Sequence, residues 1–424
     1  MTSQINEKVI ILSSWAPPMI GGPVLLYNLL CQLPPEKYQI MTDSRMMATG
    51  IDPSTWLSGE YIFVDHPHLT KAEITASNLS ARQSDKPAKL DLLHKIIRPV
   101  ENVPVFHDCI RLVSNYKTIR YFINEFRNIS RTSPTILLGI SDSGPSLLAT
   151  YYIARKYHIP YYLYLFDLYR GNCFPPIDRF IARIFERELL THAEEVIVNN
   201  EGTVEHIQKL YGNKVKMEII YNSVFSEKYP PKPTICTVQP PYEIIFTGNI
   251  SWAQEGSLLN LLKAATLLTD LPLTISIYIN RPPVTIIEEA ARHPNVRLTY
   301  APYSKMPEIQ GRASLLFLPL AWDTKGPDII ETATPGKFTD YLAAGRPILI
   351  HAPDYAYVSK YAKKEKLGLV VDKNDVQYLA NTIREFLLHP DQALTYVQNA
   401  RRIFSQNHDA RKNAKKLTEI LKMV

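Results

Sequence analysis

Residues 334–350, TPGKFTDYLAAGRPILI, read as a helix delivered into a strand. Thr334 suits the capping position and Pro335 the first helical position, where a missing N–H costs nothing. Phe338, Tyr341 and Leu342 recur at helical spacing, and Gly345 is placed to end the helix in a left-handed conformation. Arg346-Pro347 then punctuates, and Ile348-Leu349-Ile350 is an all-apolar run suited to a strand buried on both faces. Two charged residues, Lys337 and Asp340, stand near the start of this otherwise apolar helix. A helix N-terminus carries partial positive charge and unpaired N–H groups, so the turn at Thr334, Pro335 and Gly336 favours an anion, and Lys337 strengthens that preference. Asp340, one turn on along the same face, can accept two hydroxyl hydrogen bonds. Amides and a cation for phosphates, with a carboxylate for a ribose diol, match a nucleotide diphosphate. A capped helix with a solvated Lys–Asp pair explains the segment equally well.

Working outward, the same strand–helix alternation fills most of the chain. Val9–Ser13 is a short apolar run, followed by the loop APPMIGGP and a helical pattern from Val24 to Leu33. Strand, glycine loop and helix form the opening of a doubly wound fold. Residues from about 41 to 105 show no assignable pattern. Asp108–Arg131 reads as an amphipathic helix with Ile119, Phe122, Phe126 and Ile129 on one side and Lys117, Arg120, Arg127 and Arg131 roughly opposite. Strands TILLGIS, YYLYLFD, EVIVNN and MEIIYNS then alternate with helices over Ser146–Tyr157, Ile177–His192 and Glu201–Tyr211. The Pro-rich stretch Ser226–Tyr242 reads as a stiff linker. The alternation restarts with EIIFTG, a helix Ser257–Leu268, LTISIYI, a helix Val284–His293, VRLTYA, a short helix near Lys305–Arg312 and LLFLPL. LGLVV and two helices, Asp375–Leu388 and Asp391–Val424, complete the chain. The expected fold class is therefore α/β, with two Rossmann-like doubly wound domains facing a central cleft. The first covers residues 1–225, the linker 226–242 and the second 243–404, with a C-terminal helix at about 405–424 packing back on the first.

Composition bounds the function. At 424 residues the chain can build two full cores. Its formal charge of +6 is mild and its basic residues are dispersed, which argues against nucleic acid and leaves room for anionic ligands. Cys31, Cys109, Cys173 and Cys236 are far apart and form no Cys-x-x-Cys pair, so neither a metal site nor a disulfide framework is expected. The N-terminus lacks a signal-peptide plan and no stretch is long and apolar enough to span a membrane, which points to the cytoplasm.

At this point the motifs resemble a known family. The series PPMIGGP, FDLY, FTGNI and TPGKFTDYLAAGRPIL, on two Rossmann-like domains, is similar to GT-B glycosyltransferases, and within them to family 4 (glycosyl transferases group 1) enzymes of bacterial surface-polysaccharide biosynthesis. The resemblance covers nearly the whole chain apart from residues 41–105. It implies a transferase that moves a sugar from a nucleotide-diphosphate sugar, with UDP favoured, to a saccharide or polyprenyl-linked acceptor, with retention of configuration. No cofactor or metal is expected. By the resemblance, Gly21 and Gly22 let backbone amides approach the donor diphosphate or the acceptor. Gly248 and Asn249 open the donor loop, Lys337 binds the diphosphate, Asp340 holds the ribose, Glu331 contacts the donor sugar, and Asp167 sits at the cleft edge. Lys337 and Asp167 are the catalytic candidates.

The departures from the family also carry information. Asn249 stands where many relatives carry an arginine, and Gln254-Glu255-Gly256 supplies no lysine where they have one. Lys337 and the helix dipole are thus left with most of the phosphate charge. Glu331 and Asp340, with eight residues between them, are a degenerate form of the family's regularly spaced glutamate pair, and Phe166 replaces an arginine or histidine. Asp142, after TILLGIS, is expected to cap the next helix, with lining the cleft as the alternative, and His107 beside Asp108 to be a surface or capping pair, with a role in the acceptor site as the alternative. The basic helix at 108–131 suggests peripheral contact with the inner membrane face, against the simpler reading of a helix packed on its own domain. Two other functions fit the same outline: a nucleotide-sugar epimerase, and a non-catalytic partner subunit that has lost phosphate-binding residues. A plain NAD-dependent oxidoreductase fits poorly, since no G-x-G-x-x-G follows the first strand.

Overall fold

The computed structural model describes residues 8–15, 22–44, 55–64, 104–129, 135–172, 175–229, 238–322, 324 and 326–423, with no side chains for 104–107. Gly21, Cys173, Cys236, the side chain of His107, part of the expected linker and most of the 41–105 stretch lie outside the described residues. The chain forms two compact units. The first takes residues up to Asn199, Thr203–Ile220 and the residues from Ala414 on, and the second takes Asn200–Gly202 and Tyr221–Asn413.

The first unit is built on a seven-stranded sheet, all parallel, in the order β3-β2-β1-β4-β5-β6-β7. The strands are β1 Lys8–Leu12, β2 Tyr38–Asp43, β3 Glu60–Val64, β4 Thr135–Ile140, β5 Tyr161–Leu165, β6 Glu195–Val198 and β7 Met217–Ile219. Its helices are α1 Gly22–Leu30, α2 Pro104–Asn128, α3 Gly144–Tyr157, α4 Pro176–Thr191 and α5 Glu201–Tyr211. Successive strand side chains point to opposite faces, and both faces are covered, so an all-apolar strand has a buried place for every residue. Val9 and Ile11 pack with Leu26, Leu29 and Leu30 of α1, while Ile10 and Leu12 pack with Phe122 and Phe126 of α2 and Leu147 and Ile153 of α3. Leu417, Leu421 and Met423 complete the first of these cores.

The second unit repeats the plan with six parallel strands in the order β10-β9-β8-β11-β12-β13. These are β8 Tyr242–Thr247, β9 Leu273–Tyr278, β10 Val296–Thr299, β11 Leu315–Pro319, β12 Ile348–His351 and β13 Leu369–Val371. Helices α6 Trp252–Ala264, α7 Val284–Ala290, α8 Met306–Gly311, α9 Pro327–Thr332, α10 Gly336–Ala344, α11 Tyr357–Glu365, α12 Val376–Leu388 and α13 Ala393–Ile403 connect and cover them, and α14 spans Ala410–Ile420.

Several sequence expectations need correction. Helix α6 begins at Trp252, ahead of the expected Ser257, because Ser251 and Gln254 form a reciprocal capping box. The single helix expected over Asp391–Val424 is three elements: after α13 a π-helical turn at Phe404–His408 leads to Asp409, which pairs as an isolated bridge with Val224, before α14 starts. The unassigned region contains β3 and the second half of β2. In α10, Pro335 occupies the N-cap position with φ −54° and ψ 132°, and no side chain caps the helix. Thr334 therefore stands one residue before the cap, and its hydroxyl instead accepts a 2.8 Å hydrogen bond from Asn200 Nδ2. Gly345 ends the helix at φ 73°.

Candidate functional site

In open α/β sheets ligands approach the carboxyl ends of the strands, and the candidate residues follow those ends in both units. Gly248 follows β8, Glu331 lies on α9 after β11, and α10 leads into β12. Gly248 adopts φ 101°, a region that strains any residue with a Cβ, and an added Cβ would sit 3.5 Å from Lys337 Cε. Lys337 is partly buried. Its Nζ donates to the carbonyl of Asn249 at 3.0 Å and lies 4.0 Å from the centre of the Phe246 ring. The lysine thus bridges α10 and the glycine loop after β8. Burial lowers its pKa to about 7, and Asp340 offsets only part of that effect. Its direct contacts in this unit, a carbonyl and an aromatic ring, are neutral, and Asp340 compensates its charge only in part, an arrangement that suits an incoming anion.

Asp340, also partly buried, accepts a hydrogen bond from the hydroxyl of Tyr229, a residue of the linker stretch. Burial pushes its carboxyl up to about 6, against the opposing effects of Tyr229, Lys228 and Lys337. The turn before α10 is fixed by two buried amides. Asn200 Nδ2 donates to Thr332 O at 2.7 Å and to Thr334 Oγ1, and Asn222 Nδ2 donates to Thr334 O at 2.8 Å. These bonds leave the first N–H groups of α10 without a side-chain cap. A Cβ added at Gly336 would meet nothing within 4 Å, so the helix mouth is open to approach. One turn into α10, Tyr341 accepts from the Thr247 N–H at 3.0 Å and locks the helix to the end of β8.

The first unit carries a separate recess of about 330 Å³ lined by Trp15, Gly22, Ser141, Asp142, Phe166 and Asp167, among others. Gly22 belongs here for packing: its Cβ would come within 2.6 Å of Phe166 Cδ2. Phe166 is buried and packs against Tyr164 with the rings tilted by 56° and their centres 4.7 Å apart. Asp142 does not cap α3, contrary to expectation. Its carboxylate accepts from Ser13 Oγ at 2.6 Å and the Trp15 N–H at 2.7 Å, tying the loop after β1 to the loop after β4. Ser146 donates to its other oxygen at 3.0 Å. Burial outweighs these bonds and pushes the Asp142 carboxyl up to about 6. The peptide of Asp167 is held by Ser141, whose Oγ accepts from the Phe166 N–H at 2.8 Å, and Asn199 binds the Phe166 carbonyl at 2.8 Å. The surrounding protein raises the Asp167 carboxyl, although its side chain is open to solvent and hydration limits the effect.

The structure therefore brings Gly248, Asn249, Thr334, Pro335, Gly336, Lys337 and Asp340 together in one unit, and Gly22 and Asp167 in the other. Trp15, Tyr229, Asn200 and Asn222 were missed in the sequence. Asn200 and Asn222 each stand just past a strand, a placement that could have flagged them; Tyr229, within a Pro-rich stretch, offered no signal.

No family model matches this sequence, and no curated protein does. Solved structures do match over nearly the whole chain. HepE from Anabaena in complex with UDP-glucose superposes with a TM-score of 0.65 at 12% identity, covering 98% of this chain and 100% of HepE. Sucrose-phosphate synthase from Thermosynechococcus elongatus gives 0.66 at 12% identity, with 98% of each chain covered. A trehalose-6-phosphate synthase, studied for glycosyl transfer with retention, gives 0.60 at 11% identity and covers 98% of this chain and 99% of that one. The chain has the α/β fold of these GT-B glycosyltransferases.

Proposed function

We propose that the protein is a glycosyltransferase. It moves a hexosyl or N-acetylhexosaminyl group from a nucleotide-diphosphate sugar, by preference a UDP-sugar, to a saccharide or polyprenyl-linked acceptor with retention of configuration. The observation that carries this reading is the mouth of α10, where an uncapped helix N-terminus, a lysine with a lowered pKa and a carboxylate one turn on converge at a positive-φ glycine loop. In the reaction the bond from the sugar C1 to the β-phosphate oxygen breaks and negative charge grows on that phosphate. The α10 N–H groups and Lys337 are preorganised for this charge, which is the kind of stabilisation that contributes most in such transfers. The acceptor oxygen bonds to C1 on the same face and its proton passes to the departing phosphate. These residues supply the positive charge without a metal. Asp340 takes the ribose hydroxyls, Glu331 the donor sugar, and Asp167 an acceptor hydroxyl. The UDP-glucose bound by HepE and the retention studied in trehalose-6-phosphate synthase support this reading.

Among the described residues no helix is long and apolar enough to cross a membrane. Peripheral contact at the inner membrane face is part of the same proposal, supported by the exposed Ile110, Leu112, Val113 and Tyr116 among the basic residues of α2. Hydrolysis and binding of UDP-, GDP- and other nucleotide sugars test the transferase reading. Turnover that falls by about 10²–10³ in Lys337→Ala is expected. Absence of donor binding, with Lys337→Ala making no difference, would favour the non-catalytic partner subunit.

A further inference from the structure

Helices α2, α3 and α4 of the first unit enclose a cavity of about 310 Å³ that the chemistry above does not use. Its walls are apolar, with Leu112, Ile119 and Ile123 from α2, Leu148 from α3, and Ile181 and Phe185 from α4. Of the polar groups that line it, Asp178 is already engaged, accepting from Asn115 Nδ2 at 2.5 Å and from Arg111 Nε, and Arg120 stands exposed at the edge. A sugar or nucleotide would leave its own polar groups unmatched there, whereas a hydrocarbon asks for no partner.

The surface around the mouth extends this chemistry. Tyr116 and Tyr152 are 60% and 39% exposed, and Val113, Phe180 and Ile184 are each more than half exposed. Arg120, which lines the cavity, is exposed, as are Lys117 elsewhere on α2 and Arg179, Arg183 and Arg187 on α4, and none is in an ion pair with a described residue. Arg179, Arg183 and Arg187 form one i, i+4, i+8 stripe on α4, on the face turned away from the cavity-lining Ile181 and Phe185. Apolar side chains flanked by cations on helices fit a layer with phosphates in one plane and hydrocarbon just beneath it. The walls also adjoin the recess through the chain: Gly144 and Pro145 closely follow Asp142, and Tyr169 lies just past Asp167.

We propose that this cavity binds one hydrocarbon chain of an anionic lipid whose phosphate sits by Arg120 at the mouth, and that this lipid is the acceptor, presenting a neutral hydroxyl to the recess beside Asp142 and Asp167. The chain site stands on its own residues, while the acceptor role rests on the transferase reading. The test titrates the whole protein with hexyl, octyl and decyl phosphate below their micellar concentrations, with inorganic phosphate as control. Saturable binding that tightens about fourfold per added methylene is expected, with none for inorganic phosphate. Ile119→Trp and Leu148→Trp, which fill the cavity, abolish it while UDP-glucose binding and thermal unfolding stay as in the parent. Arg120→Ala weakens every alkyl phosphate and keeps the chain-length slope.

Absence of chain-length dependence, or unchanged binding in both folded tryptophan variants, overturns the cavity site even if donor turnover is intact. So does a dimer that Phe180→Ser dissociates and decyl phosphate leaves unaffected. If alkyl phosphates bind but no nucleotide sugar does, the acceptor role falls with the transferase reading and the chain site stands.

Discussion

If Lys337 takes the donor diphosphate as proposed, donor binding is a proton-linked event. In the free protein its pKa is about 7, because burial penalises the ammonium and its nearest partners are a carbonyl and an aromatic ring. A diphosphate beside it favours the charged form and returns the pKa toward the ordinary lysine value of 10.5. The bound state then holds a proton that the free state loses above pH 7, so affinity must fall as pH rises. With full recovery, affinity for UDP-glucose drops about fifteenfold between pH 7 and pH 8.5, or ~1.6 kcal/mol, and changes only about twofold between pH 5 and pH 7 from this group. UDP-glucose is the right probe because its diphosphate is a diester with no proton to exchange in this range. Calorimetry in buffers of different ionisation enthalpy should show about half a proton taken up at pH 7 and nearly one at pH 8. Lys337→Met should bind weakly and with no slope between pH 7 and pH 8.5. A flat profile in the parent protein, or the same slope in Lys337→Met, would refute the assignment of Lys337 to the diphosphate.

Asp340 should impose a second limb, since its carboxyl titrates at about 6 and holds ribose hydroxyls as the carboxylate; UDP-glucose affinity then falls below pH 6, and Asp340→Asn removes that limb. Tyr229→Phe frees Asp340 from a hydroxyl that the ribose must replace, and is expected to tighten UDP-glucose binding by up to about tenfold in the same titration. Gly22→Ala should destabilise the protein by about 1–3 kcal/mol in urea unfolding, with part of the loss restored by adding Phe166→Leu, because the new Cβ meets that ring. Asp142→Ala should cost about 1–2 kcal/mol by removing the acceptor shared by Ser13 Oγ, Ser146 Oγ and the Trp15 N–H, whereas Asp142→Asn, which keeps an acceptor and removes a charge that burial penalises, should cost less at pH 8.

The parts legible in the sequence were those governed by burial along a continuous segment. Strands β1, β4, β6, β8, β11 and β12 stood out as apolar runs because both faces of each sheet are covered. β2 did not, since YQIMTD buries Gln39, Thr42 and Asp43 through partners elsewhere, Gln39 pairing with Glu60 of β3. The site divides in the same way. Lys337, Asp340 and Gly248 stand out as candidates by local chemistry at element ends, and the fold brings them together. The misreadings are residues whose bonds span the chain: Thr334 is claimed by Asn200, and Asp142 by Ser13 and Trp15. Local capping preference was correct chemistry applied to groups that already had distant partners.

The core contribution of Leu417, Leu421 and Met423 bears on how the protein is made. The first unit's sheet is laid down by residue 219, yet one of its two cores is completed by residues that follow the whole of the second unit. During synthesis the second unit can therefore fold while apolar side chains such as Leu26, Leu29 and Ile220 still await their cover. Biogenesis thus runs against chain order, and a ribosome stalled near residue 413 would present a nearly finished chain with an unsealed hydrophobic face to chaperones.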